Sequence, residues 1–258
     1  VVFDHTSIVL VACAATALWV FRRRNFKRIH ERYVGKTVLY DERPSRQRRE
    51  GARTVMVVGG LGFLGSYIVE QLVRKDINVV VFDRALPPDN KRNELVTYVQ
   101  GTLLLPEHLE QALTSHKVDS VIHTASIVPV LDASREVFQT VNVEGTRGLV
   151  DAALRCGVKS FIYTSSATVA IDKSVRICEN LSEDEPPPRE HADWYTESKA
   201  GAEAIVVAAA NNTKGMAAAI LRPGGIFGRG DRVLADLLLV GKLPIILGKG
   251  DNRIDWVP

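Results

Sequence analysis

Cysteine is scarce in this chain: Cys13, Cys156 and Cys178 are its three among 258 residues, at spacings that suit neither a metal site nor a disulfide framework. A reducing compartment is the expectation, and a disulfide-stapled secreted fold is excluded. The six histidines contain no H-x-x-x-H pair, so no helical metal signature is present either. No internal repeat or low-complexity tract interrupts the chain. A large charge of one sign is also missing. The formal balance is +3, and it conceals an asymmetry: residues 1–53 carry 12 Lys/Arg against 5 Asp/Glu, and the remainder 21 against 25. The basic character belongs to the N-terminal segment, and a nucleic-acid partner for the folded body is not expected. What remains, 46% hydrophobic and 24% charged, is the composition of a globular chain long enough for one α/β domain and part of a second.

One apolar run stands apart. Ser7 to Phe21, SIVLVACAATALWVF, carries no charge and is followed at once by RRRNFKR. A helix over those residues spans about 22 Å, short of the ~30 Å hydrocarbon core, and including Val1 to Thr6 supplies the length. Basic residues after the apolar run are the reverse of a cleavable signal. The expectation is a transmembrane anchor over residues 1–24, single-pass in the endoplasmic reticulum, with the body facing the cytoplasm by the positive-inside rule. A peripheral attachment is the alternative. Residues 25–53, with Arg43, Arg46, Arg48, Arg49 and Arg53 around Pro44, read as a juxtamembrane linker, either resting on anionic lipid or serving as a merely solvated spacer.

The stretch TVMVVGGLGFLG, Thr54 to Gly65, runs β-prone residues into glycines spaced three apart. It reads as a strand, a tight turn and the start of a helix. Gly59 permits a turn that a Cβ obstructs, Gly62 lets a pyrophosphate approach the main chain, and Gly65 lets the helix lie against the sheet. Amides at the helix start then face the phosphates, aided by the positive end of the dipole. The same spacing occurs in ordinary strand-to-helix turns. Context favours a dinucleotide, because a second apolar run, Asn78 to Phe82, ends in Asp83, 24 residues after Gly59. A carboxylate there binds the adenosine ribose hydroxyls and repels a 2′-phosphate, which favours NAD over NADP. Arg84 weakens that preference, since a guanidinium accommodates the phosphate. Asp83 as a plain strand-end turn residue is the other reading.

From Thr54 onward, strands near 54–58, 78–82, 96–99, 119–123, 159–164 and 217–222 alternate with helical patterns. That alternation predicts a parallel, doubly wound α/β sheet, whose ligands sit beyond the carboxyl ends of the strands. The residues there include Gly59, Asp83, Thr102, His123 to Ser126, Ser165, Ser166 and Pro223 to Gly225. The acidic stretch Glu179 to Asp193 contains PPP and reads as a surface loop.

WYTESK places Tyr195 and Lys199 four apart, on one face of a helix beginning near Trp194. An ammonium stabilises a tyrosinate and lowers a phenol pKa of about 10 toward a value useful for accepting a proton. Alcohol oxidation by hydride transfer needs such a base. Alone, Y-x-x-x-K is an ordinary aromatic beside a surface lysine. The preceding strand ends in Ser165 and Ser166, hydroxyls suited to the reacting oxygen, with Ser166 preferred, or to capping local backbone.

Together GGLGFLG, HTAS at His123, VNVEGTRGLVDAA from Val141, YTSSATV, YTESK and LRPGGIFGRGD resemble an extended short-chain dehydrogenase, and within it the 3β-hydroxysteroid and sterol-4α-carboxylate 3-dehydrogenase branch. The resemblance runs from about Val55 to the last residue. It implies a Rossmann domain over 54–225 and a catalytic set of Ser166, Tyr195 and Lys199. Against NAD it implies Gly59, Gly62, Phe63, Leu64, Gly65, Asp83, Thr102, Leu103, Thr124 and Ala125. Asn142 would support the active site from the fourth helix, Lys199 and Tyr195 would reach the nicotinamide ribose, and Pro223 and Gly225 would lie against the nicotinamide. The substrate implied is a sterol or steroid 3β-alcohol, with a homodimer as an open assembly. Two features depart from the family pattern. Its usual Gly-Asp-Leu reads Gly101-Thr102-Leu103, which removes a carboxylate near the adenine amino group at a cost of about 1 kcal/mol. The substrate domain is also expected to be incomplete, with only its start at 226–258.

Three functions stay open at this point: oxidation of a sterol 3β-alcohol, with or without loss of a 4-carboxyl; a nucleotide-sugar epimerase or dehydratase, with Arg222, Arg229 and Arg232 for the diphosphate; and a truncated NAD-binding membrane protein without chemistry.

Overall fold

Thr54–Val58 forms strand β2, and all five residues are buried, including both faces of the strand. A strand covered on both sides must lie inside a parallel sheet with helices above and below, which is why it shows no polar alternation. The computed structural model describes residues 39–40, 51–128, 133–175, 181–183, 187–212, 215–231 and 256–257. The strands of the main sheet are β1 (Leu39–Tyr40), β2, β3 (Asn78–Asp83), β4 (Val96–Gln100), β5 (Ser120–His123), β6 (Ser160–Thr164) and β7 (Ala217–Leu221). Their spatial order is β1-β4-β3-β2-β5-β6-β7. All neighbours are parallel except β1, which runs antiparallel to β4.

The helices are α1 (Phe63–Arg74), α2 (Pro106–Ser115), α3 (Arg135–Phe138), α4 (Gly145–Arg155) and α5 (Trp194–Asn212). A wider π turn, Gln139–Glu144, joins α3 to α4. One sheet face buries Val55, Val57, Val79, Val81 and Tyr98 against Ile68, Val69 and Leu72 of α1. The other buries Met56, Val58, Val80, Phe82, Phe161 and Tyr163 against Leu109 and Leu113 of α2, Leu149 and Val150 of α4, and Ala202 and Val206 of α5. Each fully buried aliphatic side chain contributes about 1.5–3 kcal/mol. These two layers hold the carboxyl ends of the strands in fixed register.

Each of the six strands expected from Thr54 onward is present, within a residue or two at either end. The linker expectation did not include β1, whose Leu39 and Tyr40 lie opposite Gln100 and Val99. A two-residue bridge among charged neighbours has no periodicity to read. The segment expected as an anchor, 1–24, lies outside the described residues. Among the described residues no helix is long and apolar enough to cross a membrane. Near the chain end, β8 (Gly225–Ile226) pairs in parallel with β9 (Trp256–Val257) as a separate ribbon.

Candidate active site

The chain leaves β2 for β3 on one side and β5 lies on the other, so a crevice opens where the winding reverses. Its floor is built from glycine. Gly59 has φ +83, and a Cβ there would stand 2.7 Å from the Ala125 nitrogen. A Cβ on Gly65 would meet the Gly59 carbonyl at 2.2 Å. The turn is closed by Gly59 N–H donating to Phe82 O at 2.8 Å and Gly62 N–H donating to Gly59 O at 2.9 Å. Gly62 caps α1 with no side-chain bond, and the first turn, which begins Phe63, Leu64, Gly65, holds no acidic residue. A helix start with no anionic or side-chain acceptor keeps its first amides for an anion.

Across the crevice, the Thr124 and Ala125 amides both donate to Val58 O, at 2.9 and 3.0 Å, and the Thr124 hydroxyl donates to the same oxygen. Asp83 ends β3 and spans the glycine turn: one oxygen accepts from Leu61 N–H at 3.1 Å, the other from Arg84 N–H at 2.7 Å. Burial raises its pKa, opposed by those amides and by Arg84. Thr102, after β4, accepts from Leu104 N–H at 3.3 Å, so its hydroxyl organises the local turn. Leu103 packs where Gly145 leaves room, 3.0 Å from the position a Cβ would take.

At the ends of β6 and β7 a second group assembles. Ser165 N–H donates to Leu221 O and Ala167 N–H to Pro223 O, which laces the serine turn to the segment holding Pro223 and Gly225. Asp193 starts α5 by accepting from Thr196 N–H at 2.7 Å. That start sets Tyr195 in the first turn of α5, beside the serine turn, where Ser166 is the side chain that acts on its phenol. Ser165 Oγ, by contrast, is buried without a partner. Burial raises the Tyr195 pKa, and the Ser166 hydroxyl opposes that rise. Lys199, one turn further along α5, is 3% exposed. Its ammonium donates to Thr164 O and stands 4.4 Å from the centre of the Tyr163 ring. Burial lowers its pKa to about 7, against the pull of Glu203.

Asn142 lies in the π turn, where the widened backbone sets its side chain inward. Its Oδ1 accepts from Ile127 N–H at 2.8 Å, and its Nδ2 donates to Ile127 O and to Ser198 Oγ. Ser198 in turn donates to Tyr195 O at 2.7 Å, so the turn and α5 are tied beside the phenol.

Three contributors had no strong sequence signal. Glu203 is 9% exposed and forms a two-point ion pair with Arg222 at the end of β7. A lone carboxylate four residues after Lys199, inside the apolar run AGAEAIVVAAA, is the trace that could have found it. Thr168 lies two residues beyond Ser166, the spacing of a serine capping motif. His123 is the third. Thr146 donates its one proton to Asn142 O at 2.6 Å, so His123 Nε2–H must donate to Thr146 Oγ1 at 3.0 Å, leaving Nδ1 bare and buried.

Complete burial, then Lys199, lower the His123 pKa from 6.5 to about 3. The unfolded chain binds a proton there that the folded chain refuses, so this contribution to stability is complete above pH 6.5 and falls away toward pH 3. The loss is on the order of 5 kcal/mol. Urea unfolding at a series of pH values should therefore show a flatter acid limb for His123→Asn than for the parent protein. Parallel limbs would mean His123 is protonated in the fold.

The sequence model of the 3-beta hydroxysteroid dehydrogenase/isomerase family matches residues 56–257. The decarboxylating sterol-4-alpha-carboxylate 3-dehydrogenase of Candida albicans is 35% identical over 219 residues, 80% of this chain and 61% of that protein. Its human namesake is 34% identical over 233 residues, 86% of this chain and 60% of that protein. The chain thus spans about three fifths of these relatives' length. Among solved structures, Thermus thermophilus UDP-glucose 4-epimerase in complex with NAD superposes with a TM-score of 0.65 at 27% identity, covering 79% of this chain and 70% of that one.

Proposed function

The chain belongs to the 3-beta hydroxysteroid dehydrogenase/isomerase family, and from that premise we propose that it oxidises the 3β-hydroxyl of a sterol or steroid, with NAD as the acceptor. The observation that carries the reading is the first turn of α5, which holds Tyr195, tied by the Thr196–Thr168 hydroxyl bond to the serine turn at the same carboxyl edge of the sheet as the glycine cradle. The cradle fits a dinucleotide, because side chains on Gly59 or Gly65 would fill it and no first-turn carboxylate repels phosphate. Phe63 and Leu64 amides would meet the pyrophosphate, and Asp83 the ribose. Bound NAD supplies the hydride acceptor.

The protein's own groups handle the proton. Tyr195, as phenolate, takes the proton of the 3β-hydroxyl, and Ser166 holds the oxygen as it becomes a carbonyl. Lys199, when charged, would stabilise the phenolate from one turn along α5, and Asn142 fixes α5 through Ser198. When the substrate carries a 4-carboxyl, the 3-ketone is a β-keto acid, and loss of carbon dioxide follows from that arrangement. The printed names of the relatives support this decarboxylating substrate class.

A sugar-diphosphate substrate is less well served. Arg222, one of three cations available for it, is paired with Glu203, and the sequence relatives with the sterol function are more similar than the sugar-nucleotide structure. A holder without chemistry leaves the buried Lys199 one turn from Tyr195 unexplained. The same reading puts the chain on the endoplasmic reticulum membrane, held by residues 1–24, with the body in the cytoplasm. An apolar substrate resident in the bilayer suits such an anchor.

The test is NAD reduction by the membrane-bound protein with a panel of 3β-hydroxysterols, with and without a 4α-carboxyl, beside NADP and sugar nucleotides. Turnover of sterols with NAD is expected. Turnover of sugar nucleotides alone would replace the reading, and release by alkaline carbonate before assay would remove the anchor.

A further inference from the structure

The hydroxyls around the phenol form a line rather than a cluster. Thr196 Oγ1 donates to Thr168 Oγ1 at 3.3 Å. Thr168 and Ser166 share a bond of 2.9 Å. Thr168 N–H also donates to Ser166 Oγ at 3.3 Å, and Ser166 is the side chain that acts to lower the Tyr195 pKa. Direction follows from counting protons. Thr168 already accepts from Thr196, so its own proton is available to Ser166. Ser166 then accepts twice, from the Thr168 amide and hydroxyl, and both of its lone pairs are occupied. Its one proton is left for a further partner, and the Tyr195 phenol is the group that Ser166 acts on.

We propose that Thr168, fed by Thr196, is a positioning residue that turns the Ser166 proton toward the reacting oxygens. Aligned hydroxyls polarise one another, so each bond in the line strengthens the last. The consequence is twofold: Ser166 donates to the phenolate before proton transfer, and it donates to the forming carbonyl oxygen afterward. Without Thr168 the Ser166 hydroxyl is free to rotate and to accept from the phenol instead, which favours the neutral, non-basic form. The two threonines sit where this requires. Thr196 is 2% exposed and is fixed through its amide by Asp193, while Thr168 is exposed on the lip of the site.

Other charges face the same phenol and set its baseline. Asp193 lies before α5 and Tyr163 on β6, while Lys199, with Glu203 behind it, follows one turn later on α5 and acts on Thr164 O and the Tyr163 ring. Phe138 of α3 is the apolar neighbour, at 6.3 Å between ring centres, and Arg135 and Glu197 bridge α3 to α5 as an ion pair. None of these changes with a threonine side chain, so a shift in pH response reports on the hydroxyl line.

The inference rests on the oxidation reading, and its test separates the two. Thr168→Val keeps the shape and removes the hydroxyl, and Thr168→Ser keeps the hydroxyl. With 3β-hydroxysterol and NAD, Thr168→Val is expected to lower kcat about tenfold, leave the KM for NAD unchanged, and move the rising limb of the kcat/KM profile about one pH unit higher. Thr168→Ser is expected to restore both. The second readout needs no substrate: tyrosinate absorbance titrated in the NAD-bound protein, with Tyr195→Phe subtracted, should move in the same direction. A titration and profile that match the parent would overturn the proposal, as would a Thr168→Ser variant as slow as Thr168→Val. If no sterol turns over at all, the oxidation reading fails while the titration still decides the hydroxyl line.

Discussion

Tyr195→Phe is expected to slow sterol oxidation by about three orders of magnitude while NAD still binds, the size of effect associated with removal of a positioned general base. The loss is specific because one oxygen disappears and little else changes. The ring keeps its edge contact with Phe138, and the backbone carbonyl of residue 195 still accepts from Ser198. The glycine turn, Asp83 and the Thr124–Ala125 strap lie on other elements and do not depend on the phenol. Ser166 and Lys199 remain but cannot substitute: a serine hydroxyl is too weak a base, and the Lys199 ammonium is engaged with Thr164 O. Steady-state turnover with calorimetric NAD titration of the same preparation checks both halves. A variant within tenfold of the parent would show that another group takes the proton.

Gly65→Ala is the second large effect, and it acts on the fold and the cofactor together. The added Cβ would lie 2.2 Å from Gly59 O and 2.8 Å from Gly60 Cα, both backbone atoms of the turn. No side chain can rotate away, so α1 must lift from β2 or the turn must open. Either movement displaces the amides at the start of α1. The cost is about 3 kcal/mol of stability or more, with NAD binding lost. Gly215→Ala is the control, because nothing lies within 4 Å of a Cβ there. Denaturant midpoints and NAD titration of the two variants read the contrast. An unchanged midpoint and affinity for Gly65→Ala would mean the helix does not pack as closely as described.

Much of the fold was readable before any coordinates. The β-prone runs at Thr54, Asn78, Ser160 and Ala217 are strongly apolar and separated by helical lengths of chain, so local pattern and global sheet agree. Their order in space, with the reversal beside β2, is that of a doubly wound sheet. The 3-beta hydroxysteroid dehydrogenase resemblance drawn from the motifs agrees with the family match over residues 56–257. The π turn left no such trace. QTVNVE has the composition of an ordinary helix, and the extra backbone opening is decided by what Asn142 finds at Ile127 and Ser198.

The division has a physical basis. Sequence by itself determined the alternation of strands and helices, the glycine cradle and the Tyr195–Lys199 spacing, because each depends on neighbours within a turn or two of chain. Only the tertiary structure decided which serine acts on the phenol, that Glu203 is held by Arg222, that His123 is neutral beside Thr146, and that Thr196, Thr168 and Ser166 line up. Those outcomes depend on distances between residues 19 to 28 or more positions apart, and such distances are set by how the layers pack, which no local pattern of side chains encodes.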